Sequence, residues 1–176
     1  LETAVRPANA SRLQLIESLQ PAVGYVKDVA FGPDGRLLAV GGTDDVVNIL
    51  EAGSWKPQRT FVVPGTVRCL SFNPAGSVLA VGCQDGSVVR WNVKEHMRLG
   101  DVGLHAERRV TDIDYSIDGT YLAVATLSGV NIRNVKTGEK VELMPGGNPR
   151  KLVDFCSSRP LVAAAGRGVV GLWDTG

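Results

Sequence analysis

The chain has 176 residues, 44% hydrophobic and 21% charged, the proportions of an ordinary globular domain. Nineteen Lys and Arg oppose eighteen Asp and Glu, so the net charge of +1 sets up no long-range field for a polyanion such as nucleic acid. No apolar run is long enough to span a bilayer, the opening LETAVRPANA lacks the apolar centre of a secretory signal, and two histidines leave little room for metal or acid–base chemistry.

Taken in chain order, residues 1–11 form an N-terminal extension and 12–20, within SRLQLIESLQ, an outer strand. A first block follows from Val26: VKDVAFGPDGRLLAVGGTDDVVNILE. It holds a strand, a PDG turn at 33–35, a second strand, a turn at Thr43-Asp44-Asp45 and a third strand. The segment EAGSWKPQ then leads to an outer strand near 57–62, with Trp55 placed to cover the edge of the sheet. The second block, VRCLSFNPAGSVLAVGCQDGSVVRWN from Val67, repeats the order, with an outer strand near 96–102. The third, VTDIDYSIDGTYLAVATLSGVNIRN from Val110, does so again, with its outer strand near 139–143. The fourth, KLVDFCSSRPLVAAAGRGVVGLWD from Lys151, has only the three inner strands.

The anchoring aromatics Phe31, Phe72, Tyr115 and Phe155 lie 41, 43 and 40 residues apart, a period that marks a repeat architecture of one sheet per unit. Four inner triplets and four outer strands are thus present, with the first outer strand placed early. A closed ring uses such an offset when its N-terminal strand completes the last sheet.

These blocks resemble the WD-repeat family of β-propellers, over about residues 12–176. The terminal dipeptide stands intact at Trp173-Asp174, one substitution away at Trp91-Asn92, and weakly at Arg133-Asn134 and Leu50-Glu51. The turn aspartate is present as Asp44 and Asp85 and is replaced by Ser128 and Arg167. The resemblance implies an all-β propeller of four-stranded antiparallel blades, with Asp44, Asp85, Trp91, Trp173 and Asp174 as structural repeat residues. No blade holds the family's whole Asp, His, Ser and Trp network, so apolar packing carries more of the load, and Asp44 and Asp85 are expected to cap turns.

Four blades leave three arrangements open: part of a longer propeller, a half-ring that pairs with a second copy into eight blades, or a compact four-bladed ring.

No catalytic constellation stands out. Asp44 and Asp45 sit in a solvated turn, Asp112 and Asp114 share one face of a strand in a structural role, and no glycine pair has the context of a phosphate loop. No cofactor and no metal are expected, and the chain is not expected to be an enzyme. Cys69, Cys83 and Cys156 fit neither a zinc site nor a redox pair, and suit the core of a protein in the reducing cytoplasm. The function expected is a scaffold or recognition module for other proteins, with self-assembly or a regulatory, nucleotide-exchange role as alternatives. Its partner-binding candidates are Tyr25, Arg68, Arg109, Arg150 and Arg167, a basic arc on the face of the entrance loops, suited to acidic or phosphorylated segments.

Overall fold

Alternating Val, Leu, Ile and Ala favour pleated pairing, and Gly-containing turns fold each strand back on the one before. The computed structural model describes residues 14–21, 23–101, 109–127, 129–145, 152–166 and 168–175. Blade one contains β1 (Val26–Phe31), β2 (Leu37–Gly42), β3 (Val46–Glu51) and β4 (Pro57–Val62). Blade two contains β5 (Val67–Phe72), β6 (Val78–Cys83), β7 (Val88–Asn92) and β8 (Met97–Asp101). Blade three contains β9 (Val110–Tyr115), β10 (Tyr121–Thr126), β11 (Gly129–Asn134) and β12 (Lys140–Pro145). Blade four contains β13 (Leu152–Phe155), β14 (Leu161–Gly166) and β15 (Val169–Asp174). Each is an antiparallel meander in sequence order, four-stranded in the first three blades and three-stranded in the last. The hairpin glycines Gly35, Gly76 and Gly119 take φ near +70° (70°, 67° and 70°), which is why the three turns share one residue type at that point.

The innermost strands β1, β5, β9 and β13 stand side by side, and each blade packs on the next. Ala39, Val47 and Ile49 of blade one meet Val67, Leu70, Phe72 and Leu79 of blade two in one buried cluster. Ala80 and Val88 meet Val110, Ile113 and Tyr115 in a second, and Ala123, Val130 and Ile132 meet Val153 and Phe155 in a third. Gly41 makes the first of these contacts possible, because a Cβ there would lie 2.5 Å from Val67 Cγ1.

Among the described residues, no comparable packing joins blade four to blade one. The chain is therefore an open arc, not the compact four-bladed ring. Val26, Val29 and Phe31, whose counterparts are buried in blades two and three, are 48%, 55% and 60% exposed.

The outer strand expected at 12–20 is not a strand in this arc. Of it, residues 14–20 are described, and they join no ladder. The physical reason is the open ring: the sheet that lacks an outer strand is blade four, at the far end. Instead Leu19 packs, with Trp55, against Val23, Leu38, Val40 and Leu50 on the free face of blade one. Trp55 thus covers its own blade, as expected. The extension 1–11 lies outside the described residues.

Candidate functional site

Backbone hydrogen bonds fix which loops share a rim. Gln84 N donates to Thr66 O at 2.8 Å, and Tyr25 N donates to Thr43 Oγ1 at 3.0 Å. The segments entering blades one and two therefore lie beside the β2–β3 and β6–β7 turns.

Tyr25 stands on this rim with 80% of its surface exposed. Arg68 is the extra residue of a β-bulge: Val67 pairs with Cys83 and Cys69 with Gly82, so Arg68 falls out of the β5–β6 ladder. Bulges re-aim a side chain in this way. Arg109 directly precedes β9, the neighbour of β5 in the next blade. Both arginines are half-buried, and the Nε of each is shielded from solvent without a hydrogen-bond acceptor. Three of the five partner candidates thus fall at strand entrances; Arg150 and Arg167 lie outside the described residues, as does Ser128.

The structural repeat residues differ among themselves. Asp85 caps its turn, accepting from Ser87 N at 3.0 Å and Ser87 Oγ at 2.7 Å. Asp44 is exposed, and its carboxylate meets the Thr43 hydroxyl at 3.5 Å. Trp91 stacks on Phe61 of blade one, with centroids 4.7 Å apart and planes inclined by 13°. Its Nε1 is buried without an acceptor, as expected where the family's polar network is incomplete. His96 closes the stack, 5.0 Å from Phe61, with Nε2 3.1 Å from Thr60 O. Trp173 packs against the cluster between blades three and four, and Asp174 is exposed at the end of β15.

The inner strands carry a feature that sequence reasoning found only in part. Asp28 Oδ2 accepts from Leu70 N of the next blade at 2.7 Å, while its Oδ1 accepts from Val29 N at 2.9 Å. Asp112 repeats this two interfaces further on, accepting from Val153 N at 2.9 Å and Ile113 N at 3.0 Å. Asp114 accepts from Phe155 N at 2.7 Å and meets Ser71 Oγ at 3.4 Å. These carboxylates are clasps between blades, which accords with a structural role for Asp112 and Asp114. Asp28 was missed, although it lies three residues before Phe31 as Asp112 lies three before Tyr115. Burial pushes the Asp112 carboxyl up to about 6, against the lowering effect of its two N–H donors. Burial likewise raises Asp28 and Asp114 above their ordinary value.

All three cysteines are free thiols; Cys69 and Cys83 are buried, and burial pushes the Cys83 thiol up to about 11. Among the described residues, no cluster of three His, Cys, Asp or Glu is placed to hold a metal ion. No helix among them is long and apolar enough to cross a membrane.

The family model for the WD domain, G-beta repeat, matches residues 14–50 and 55–92. WD repeats are thus found in two places in the chain. The chain is 29% identical to the periodic tryptophan protein 2 homolog of Schizosaccharomyces pombe over 92% of its own length and 21% of that protein. It is 29% identical to the intraflagellar transport protein 122 homolog of Danio rerio over 74% of its length and 11% of that protein. It therefore spans about a fifth or less of these relatives. Its fold matches the solved structure of U3-55K with a TM-score of 0.74 at 17% identity, covering 85% of this chain and 48% of that one. The WD-repeat match beginning at residue 14 counts the segment before blade one as part of a repeat.

Proposed function

We propose that the chain is a non-catalytic recognition module that binds other proteins through the rim bearing Tyr25, Arg68 and Arg109, with Arg150 and Arg167 completing the same arc. The favoured target is an acidic or phosphorylated segment. The observation that carries this reading is the placement of Tyr25, Arg68 and Arg109 at the strand entrances, with Arg68 turned out of its ladder by a bulge. A guanidinium there can meet a carboxylate or phosphate through a bidentate bond. Strand β5 holds Arg68 and the start of β9 adjoins Arg109, so little loop ordering opposes binding. Tyr25 adds an exposed aromatic, a residue type that often anchors interfaces. The reading includes a cytoplasmic location, which the three unpaired thiols support.

The test is capture on an array of glutamate-rich and phosphoserine peptides, followed by fluorescence anisotropy of the best binder. Charged hydrogen bonds contribute roughly 1.5–3 kcal/mol, so Arg109→Ala with Arg150→Ala, and Arg68→Ala separately, should each weaken binding at least about tenfold. The melting temperature should move by only a few degrees. Undiminished binding would remove the rim from the site, and a blank array would remove the acidic target.

A further inference from the structure

We propose that a cleft between blades one and two binds an acidic and apolar segment of a partner protein, seating one large apolar side chain on its floor and a neighbouring carboxylate between Arg59 and Lys94. This cleft lies at the opposite end of the strands from the rim of Tyr25, Arg68 and Arg109, so either reading can fail alone.

Both blades build the walls. On the β3–β4 ladder Arg59 pairs with Ile49 and Phe61 with Val47, so Arg59 leaves the sheet on the same face as Phe61, toward blade two. Leu50 pairs with Pro57, which leaves Gln58 as the extra residue of a bulge, exposed at the mouth of the cleft. Across the gap, Val93 and Lys94 follow β7, and Val93 N donates to Ser77 O at 2.9 Å. Gly76 of the β5–β6 hairpin brings no side chain into the space, which is about 210 Å³.

The chemistry of the lining selects the occupant. Leu37, Ile49 and Val93 make an apolar floor. A space of this size falls below the ~300 Å³ at which small-molecule sites begin, so it suits one side chain of a longer chain. Arg59 is half-buried and Lys94 exposed. Among the described residues neither has an ion-pair partner; the pairs formed are Arg36 with Asp34 and Arg98 with Asp101. The acid beside Lys94, Glu95, accepts from Asn92 Nδ2 at 3.0 Å. Two unpaired cations over an apolar floor fit an apolar residue followed by Asp or Glu.

The other two interfaces show that this combination is local. Where blade one sets Arg59 opposite Ile49, blade two sets Gly100 opposite Arg90, so the floor position itself carries the charge. Between blades three and four a second cleft, of about 290 Å³, has Tyr121 and Thr175 where the first has Leu37 and Val93. There Arg159 shares the lining with Asp118, which offsets its charge. Of the three, the cleft between blades one and two joins an apolar floor to two unpaired cations.

The test is an NMR titration of the full chain, isotope-labelled at nitrogen, with a short end-blocked peptide carrying Leu-Glu-Glu. One buried side chain and one charged contact set a dissociation constant of roughly 0.1–1 mM. Amide shifts should centre on Arg59, Val93 and Lys94 and leave Arg68 and Arg109 in place. Replacing the peptide's Leu by Ala, or both Glu by Gln, should weaken binding at least about fivefold. Arg59→Gln with Lys94→Gln should weaken it at least about tenfold, with the melting temperature held within a few degrees, and Arg68→Ala should leave it unchanged. If that double variant folds poorly, Gln58→Glu sets a repelling charge at the exposed mouth and should weaken binding in the same way. Shifts that centre on Arg68 assign the peptide to the rim and overturn the proposal. An Ala-Glu-Glu peptide that binds equally well overturns it, as does the absence of shifts at about 5 mM peptide. Octanoate that displaces the peptide at a lower concentration overturns the protein partner in favour of a free carboxylate.

Discussion

Replacing Asp112 by Asn tests whether the inter-blade clasp costs stability when it is charged. Asp112 binds its proton in the folded chain up to about pH 6, against an ordinary value of 3.8. The folded state thus holds the proton more tightly than the unfolded one. The stability this confers is fully present below about pH 4 and is lost as the pH rises through 6. A gap of about two pH units is worth roughly 3 kcal/mol at ~1.36 kcal/mol per unit. Asp112 remains partly exposed, and solvent screening reduces this to about 1–2 kcal/mol. Asn keeps one carbonyl acceptor and carries no charge. Asp112→Asn should therefore match the wild type near pH 4 and exceed it by about 1–2 kcal/mol near pH 7, measured as urea midpoints across that interval. A difference that stays constant with pH, or an Asn variant that loses ground toward pH 7, would refute the reasoning. It would mean that the two N–H donors outweigh desolvation and hold the carboxylate ionised.

Three further substitutions probe the interfaces and turns. Gly41→Ala should destabilise by about 1–3 kcal/mol, because the new methyl meets Val67 Cγ1 at 2.5 Å and Val67 Cβ at 2.9 Å; a thermal melt reads this directly. Trp91→Ala should cost about 3 kcal/mol through loss of the stack on Phe61, while Trp91→Phe should stay within about 1.5 kcal/mol, since it keeps a ring and removes a buried donor that lacks an acceptor. Near-UV circular dichroism with urea unfolding separates the two. Asp85→Ala removes the acceptor of two Ser87 bonds and should cost about 1 kcal/mol, read as a drop of roughly 2–4 °C in the melting temperature.

Much of this architecture is legible in the residues. Phe31, Phe72, Tyr115 and Phe155 each sit at the same place on an inner strand, and the hairpins of Gly35, Gly76 and Gly119 lie where the repeat set them. Local turn chemistry and strand alternation carry that information, and each acts within a dozen residues. Contacts between units are less visible. The Asp28 to Leu70 bond joins residues 42 apart, and strand alternation fixes only the face on which a carboxylate lies, not the N–H it meets. The Phe61–Trp91 stack is similar, since nothing near either residue names the other. The segment 12–20 shows the reverse limit. Its composition suits a strand, but a strand needs a neighbour, and on this arc the neighbour stands three blades away.

The three matching interfaces also govern how the arc comes apart. Blades two and three each have two neighbours, and blades one and four have one. Such an array behaves as a short one-dimensional chain of coupled units, whose ends open at the loss of a single coupling and whose middle opens only when two are lost. Amide exchange should then run fastest in β13–β15, slower in blade one, where Leu19 and Trp55 form a lid, and slowest in β5–β6 and β9–β10. Fraying from the ends sets a clock for the molecule, and whatever seals those ends stops it.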